Sequence, residues 1–148
     1  MISFYNSKGY RDAEITEDTI VHVDGGSVDI NIRVAPGQRY YFRDVQWVGN
    51  FIHDDRTLAN ILGIEKGDIY NLEMIDKKLN FNPNGPDISS LYMDNGYLFF
   101  SVTPVEVKIE GDSVDIEMRI YEGAQATIRK VYVTGNDRTN DHVILREL

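Results

Sequence analysis

"VQWVGN" (45–50) and "VYVTGN" (131–136) both run strand-like into a Gly-Asn pair. Gly49 and Gly135 lie 86 residues apart in a chain of 148. At the same offset of 86, "SVDINIRVAPG" (27–37) falls on "SVDIEMRIYEG" (113–123). Ser27, Val28, Asp29, Ile30, Arg33 and Gly37 meet Ser113, Val114, Asp115, Ile116, Arg119 and Gly123. Arg43, Val45, Gly49 and Asn50 meet Arg129, Val131, Gly135 and Asn136. At an offset of 87, Tyr5, Gly9 and Tyr10 meet Tyr92, Gly96 and Tyr97, so one extra residue lies between Tyr10 and Ser27. Identities that agree in order and spacing across three segments mark an internal repeat. The period is longer than a solenoid repeat and matches a small independent domain. The expected organisation is the tail of one unit (1–36), one complete unit (37–122) and the head of another (123–148).

Within the complete unit, "YYFRDVQWV" (40–48) is aromatic and β-branched and reads as a strand. Its expected inward residues are Phe42, Val45 and Trp47. The odd step from 42 to 45 predicts a bulge near Arg43–Asp44. In the second copy Ile128, Val131 and Val133 keep that spacing. Gly49-Asn50 ends the strand, because both residues tolerate turn geometry. Asp54 or Asp55 then caps a helix through Leu62, with Leu58, Ile61 and Leu62 as its apolar stripe. Asn140 and Asp141 hold the capping positions in the later copy. A second helix is expected from Asn71, with Leu72, Ile75 and Leu79 at helical spacing. "NFNPNGPD" (80–87) interrupts it, since its prolines and glycine cannot continue a helix. The helix restarts at Asp87 with Ile88, Leu91 and Tyr92 on one face, and Gly96 terminates it. "YLFFSVTPVEVKIE" (97–110) reads as a long strand, "GDS" as a hairpin turn and "VDIEMRI" (114–120) as an alternating strand.

The order is therefore β-α-α-β-β, an α+β fold. Short connections make the last two strands antiparallel and the first parallel to the third. A three-stranded mixed sheet of order 1-3-2 follows, with both helices on one face. Pro104 agrees with this order, because proline is tolerated on an edge strand and the second strand is then an edge.

This order, the "GY" after the second helix, the linker "RIYEGAQATI" and the strand ending in "GN" together resemble the POTRA (polypeptide-transport-associated) domains of BamA-type outer-membrane assembly factors. The resemblance covers the whole chain, as one complete domain flanked by partial ones. The 80–87 segment departs from the family pattern as an insertion. The resemblance implies a periplasmic arm on a protein with an outer-membrane barrel in a Gram-negative bacterium. Such an arm is a non-enzymatic scaffold that binds unfolded outer-membrane proteins and accessory lipoproteins during protein insertion into the membrane. The alternatives are a POTRA array of a related secretion or translocation pore, and a structural repeat of a cell-surface protein.

Composition narrows the classes of partner, and the plain reading of its acidity is solubility. A net charge of −9 and a pI near 4.7 argue against nucleic acid and against anionic membrane surfaces. With no cysteine there is no disulfide framework or thiolate metal site. No apolar run reaches the roughly 18 residues of a membrane helix. "MISFYNSKGYRD" lacks the pattern of a secretion signal. No metal or cofactor is expected: His22, His53 and His142 are not equivalent between copies, and metal ligation needs a cluster. Asp54-Asp55 sits at a helix start, where capping accounts for it, and "VDGGSVD" (23–29) is a hairpin turn, not a phosphate loop.

The expected client-binding surface is the edge strand, whose unpaired N–H and C=O groups can accept an extended segment of any sequence. It comprises Phe99, Phe100, Ser101, Val102, Thr103, Val105, Glu106 and Val107, with Pro104 removing one donor. Phe99 and Phe100, adjacent in a strand, would face opposite sides. The interdomain linkers are Pro36 and Gly37, then Glu122 and Gly123, too short to let successive domains move freely. The partial ends suggest a further possibility, in which residues 1–36 and 123–148 complete one another between two molecules.

Overall fold

The computed structural model describes residues 1–23, 25–127, 129, 130 and 132. The chain runs α1 (Ile2–Asn6), β1 (Glu14–Val23), β2 (Ser27–Ala35), β3 (Tyr41–Val48), α2 (Asp55–Leu62), α3 (Leu72–Asn80), α4 (Ile88–Asp94), β4 (Ser101–Glu110) and β5 (Ser113–Tyr121). β1 and β2 form an antiparallel hairpin sheet of their own. The other sheet has the order β3-β5-β4, with β3 parallel and β4 antiparallel to β5. In the central unit the expected order 1-3-2 is present.

Local chemistry sets the elements. The β3–β5 register slips between Phe42 and Asp44, which places the bulge at Arg43 as the odd spacing predicted. Before it Phe42 is buried, and beyond it Val45 and Trp47 are half-buried against the core. Gly49 must be glycine: its φ is 90°, and a Cβ there would collide with the Ile120 carbonyl oxygen of β5. Asn50 Nδ2 then donates to the His53 carbonyl (3.0 Å) and to Asp55 Oδ1 (2.7 Å), turning the chain into α2. Asp54 is the cap, accepting from Thr57 N at 2.8 Å. Thr57, first through its side-chain hydroxyl and then through this backbone bond, holds the Asp54 carboxylate below its ordinary pKa. Asn71 and Asp87 cap α3 and α4 in the same way.

The core lies between one sheet face and the helices. Phe42, Leu58, Leu62, Ile75, Leu79, Ile88, Tyr92, Val114, Ile116 and Met118 are buried there. Each such side chain contributes about 1.5–3 kcal/mol by leaving water. The opposite sheet face is ionic: Arg43 donates from Nε and Nη2 to Asp115 at 2.7 and 2.6 Å and also pairs with Glu110. Arg43 holds both carboxylates below their ordinary pKa values, with Lys108 adding to the effect at Glu110.

Three expectations are corrected. Leu72 is 48% exposed, so the buried stripe of α3 is Ile75 and Leu79 alone. The second strand of the unit begins at Ser101, not Tyr97. Phe99 and Phe100 therefore precede it, in a turn closed by Phe100 N donating to the Tyr97 carbonyl at 3.1 Å. The physical reason is tertiary: Phe100 leaves the strand path to stack on Tyr92, with ring centroids 4.1 Å apart. Phe100 is buried and Phe99 is 68% exposed.

Residues 1–36 supply a helix end and a hairpin, as expected, but the hairpin is exposed on both faces. The extra residue of the first copy falls between the strands: three residues separate Val23 from Ser27, and two separate Glu110 from Ser113. The strand and helix expected within 123–148, including Ile128, Val131, Val133, Asn140 and Asp141, lie outside the described residues, apart from a few positions near their start.

Candidate functional site: a sheet edge and two domain joints

β4 is an edge strand of ten residues, Ser101–Glu110. Its strand partners are all on β5, and among the described residues no other backbone bonds to Ser101–Glu110. Ser101, Val102, Thr103, Val105, Glu106 and Val107 thus share one edge, whereas Phe99 and Phe100 lie before it. Val102, Pro104 and Glu106 pair with Ile120, Met118 and Ile116, which puts them on the helix-covered face. A register slip between Glu106 and Lys108 makes Val107 a bulge, bending the strand at that end.

Glu106 is tied to the preceding segment. Arg11 Nε donates to both Glu106 oxygens at 3.1 Å, and Arg11 Nη2 donates at 2.7 Å. Tyr70 OH donates to the same carboxylate. Arg11 and, more weakly, Tyr70 keep the Glu106 pKa below the ordinary carboxylate value. Burial, and then the Glu106 bond, push the Tyr70 phenol up. Beside this pair, Tyr40 OH donates to Asp12 Oδ2 at 2.7 Å. Arg11, Asp12, Tyr40 and Tyr70 were not singled out as a site from the sequence, and Glu106 was named only as part of the edge strand. Their signal was available only as unmatched positions in the repeat, because Arg11 and Glu106 are 95 residues apart.

The joint before the central unit recurs after it. Tyr40 N donates to the Gly9 carbonyl, and Ala126 N to the Gly96 carbonyl, each at 2.8 Å. Arg39 Nε donates to the Lys8 carbonyl at 2.8 Å, and Gln125 Nε2 to the Asn95 carbonyl at 2.9 Å. Tyr5 meets Tyr10 edge-on at 6.2 Å, and Tyr92 meets Tyr97 edge-on at 6.1 Å. "GY" is therefore more than a helix stop. Its glycine lets the chain after β5 approach, since a Cβ on Gly96 would lie 2.9 Å from the Ala126 carbonyl oxygen. Of the linker residues, Pro36 and Gly37 lead into this first joint and Gly123 into the second. Glu122 turns back to its own unit, accepting from Tyr92 OH at 3.0 Å and Ile52 N at 2.9 Å.

No group of three or more metal-ligating side chains occurs among the described residues, and no described helix is long and apolar enough to cross a membrane. A crevice of about 280 Å³ opens at the first joint, between α1 and the start of α3, lined in part by Asn6, Arg11, Tyr70 and Leu72.

The chain is similar over nearly all its length to outer membrane protein assembly factors. It is 24% identical to BamA of Buchnera aphidicola over 148 residues, covering 99% of this chain and 23% of that protein. It is 26% identical to BamA of Nitratidesulfovibrio vulgaris over 147 residues, covering 95% of this chain and 17% of that protein. The chain thus spans about a fifth of the length of these relatives. The crystal structure of POTRA domains 3–5 of Haemophilus influenzae BamA superposes with a TM-score of 0.69 at 22% identity, covering 99% of this chain and 57% of that one. That likeness establishes the fold. The family model POTRA, described as a surface antigen variable number repeat, matches residues 40–123, from the first joint to the second linker glycine. With more than half of its length matched in this way, the chain belongs to the POTRA family.

Proposed function

We propose that this chain is part of the periplasmic arm of an outer-membrane protein assembly factor, with one complete domain (37–122) between parts of two others (1–36 and 123–148). It works as a scaffold without catalytic chemistry, holding extended segments of unfolded outer-membrane proteins and docking accessory lipoproteins. The observation that carries this is the β4 edge, ten residues long and without a second backbone partner among the described residues. Strand addition there draws affinity from main-chain hydrogen bonds, so it tolerates many client sequences. The edge residues are Ser101, Val102, Thr103, Val105, Glu106 and Val107, with the exposed Phe99 and the stacked Phe100 at its entrance. Titrating an extended β-strand peptide into the labelled chain should shift the amide resonances of residues 101–107 and spare β3. Unmoved amides at 101–107 would exclude this edge as the client site.

The hairpin favours self-association as a further role. Ile20 and Ile30 are cross-strand partners, 58% and 60% exposed, and Val28 and Ile32 lie on the same face. In the chain alone, residues 123–148 of a second molecule are the occupant that matches this face by repeat order. Sedimentation equilibrium should then show a concentration-dependent dimer. A monomer at all concentrations would remove this role in solution.

A further inference from the structure

We infer that the free half of β3, residues 44–48, is a second docking edge, selective where β4 is tolerant: it takes an extended polypeptide segment that carries an apolar anchor. β3 is the other outer strand of the three-stranded sheet. Its first half is already covered from within the chain. Tyr70 N donates to the Tyr40 carbonyl at 3.0 Å, Phe42 N to the Asp68 carbonyl at 2.8 Å and Gly67 N to the Phe42 carbonyl at 2.7 Å. The segment 67–70 thus lies along β3 as a short added strand, with Ile69 bridged to Tyr41. At Gly67, with a φ of 95°, it parts from β3.

Main-chain geometry carries the pattern past that point. Phe42 faces the core, and its N–H and C=O point to the 67–70 segment, away from β5. In a strand, side-chain facing and hydrogen-bonding side alternate together. Val45 and Trp47 pack against the core again beyond the bulge, so their N–H and C=O turn to the same open side. Among the described residues no backbone group bonds to them there. No proline interrupts this stretch, whereas Pro104 removes a donor from β4. Unpaired groups of this kind call for a second extended main chain, since a helix has satisfied its own. Beside them opens a crevice of about 200 Å³, lined by Val45, Trp47, Ala59, Leu62 and Ile64. A guest residue paired beside Val45 and facing the helix layer sets its side chain there. The open stretch is half as long as β4, so main-chain bonds alone hold a guest weakly and the apolar anchor decides. Asp44, Glu65 and Lys66 rim the crevice in a chain of net charge −9, which disfavours an acidic guest.

The test titrates the 148-residue chain with a short blocked peptide that alternates valine and threonine, with a lysine at each end. The amides of Val45 and Trp47 should shift and exchange more slowly. The emission of Trp47, the chain's one tryptophan, should change with the same affinity. A peptide with threonine in place of every valine, which β4 can hold by main chain alone, should spare β3. N-methylating the central amides of the valine peptide should weaken binding at β3 by about tenfold or more, through lost main-chain hydrogen bonds. Ala59→Leu, which fills the crevice from an exposed position on α2, should weaken it by a similar factor with an unchanged urea midpoint. Silent amides at Val45 and Trp47 overturn the inference. Equal binding by the threonine or N-methylated peptide, or by the Ala59→Leu chain, does so too. Shifts confined to 101–107 would support the client reading at β4 and overturn this one, and shifts confined to 44–48 would do the reverse. Changes at Val45 and Trp47 that follow protein concentration without peptide would make the occupant a second copy of the chain, again overturning the inference.

Discussion

The hairpins β1–β2 and β4–β5 carry copies of the same sequence and meet different fates. Val28 and Ile30 are 48% and 60% exposed, whereas their counterparts Val114 and Ile116 are 0% and 1% exposed. Both hairpins form with antiparallel pairing and one register slip each. What differs is the layer against them: the sheet that β5 shares with β3 and β4 lies under three helices, and β1–β2 has no such cover among the described residues. Alternation and a turn suffice to specify strands. Burial, and the stability that comes with it, needs the second layer.

The sharpest way to break the comparison is to truncate equivalent residues. Ile116→Ala should cost about 2–5 kcal/mol in urea unfolding, because it removes buried methyl groups and leaves a cavity. Ile30→Ala should cost less than about 0.5 kcal/mol in the same chain, as expected of an exposed site. Equal losses would mean that the hairpin face is covered in solution, which is the outcome required by dimeric completion.

Gly49→Ala is expected next in size. It asks alanine to hold a φ of 90° and drives a Cβ into the Ile120 carbonyl. Strain of that kind costs about 1–3 kcal/mol, more if the β3–β5 pairing must part. Denaturant midpoints and amide exchange at Val48 and Ile120 would measure it. The effect belongs to the central unit alone, so it also tests whether β1–β2 unfolds separately: its amides should stay unchanged if the hairpin is an independent element.

These contrasts also show which parts of the molecule could be read in advance. The alternation of Val114, Ile116 and Met118, the odd step at Phe42–Val45 and the capping acids are local signals, and each has the predicted structure. The 97–100 stretch misled because four apolar residues in a row carry no period, and the Tyr92–Phe100 stack that bends them lies outside the strand. Leu72 has the spacing of the α3 stripe but sits in the first turn, where the crevice at the first joint leaves it open. The edge strand was legible through Pro104, whereas the Arg11–Glu106 pair was not, because a joint is a contact between repeats. Aligning the copies shows where joint residues stand, and only their difference, Arg11-Asp12 against Leu98-Phe99, shows what the joint is made of.

A smaller effect than that of Gly49→Ala is expected at that ionic joint, and acid resolves it. Glu106 has a lowered pKa, first through Arg11 and then through Tyr70. A lowered native value means that opening the joint takes up protons near the ordinary carboxylate value. The stabilisation is therefore complete above about pH 4.5 and fades as the pH falls through the native pKa. Arg11→Gln should weaken the joint by about 1 kcal/mol at neutral pH, since the pair is only partly shielded from water. It should also flatten the acid-dependent part of the amide exchange around Tyr40 and Tyr70. Added salt should loosen the wild-type joint modestly and the variant less. The second joint, with Leu98 and Phe99 in place of Arg11 and Asp12, should show neither dependence. An acid or salt response of the same size at both joints would mean that the charge pair does not set the difference between them.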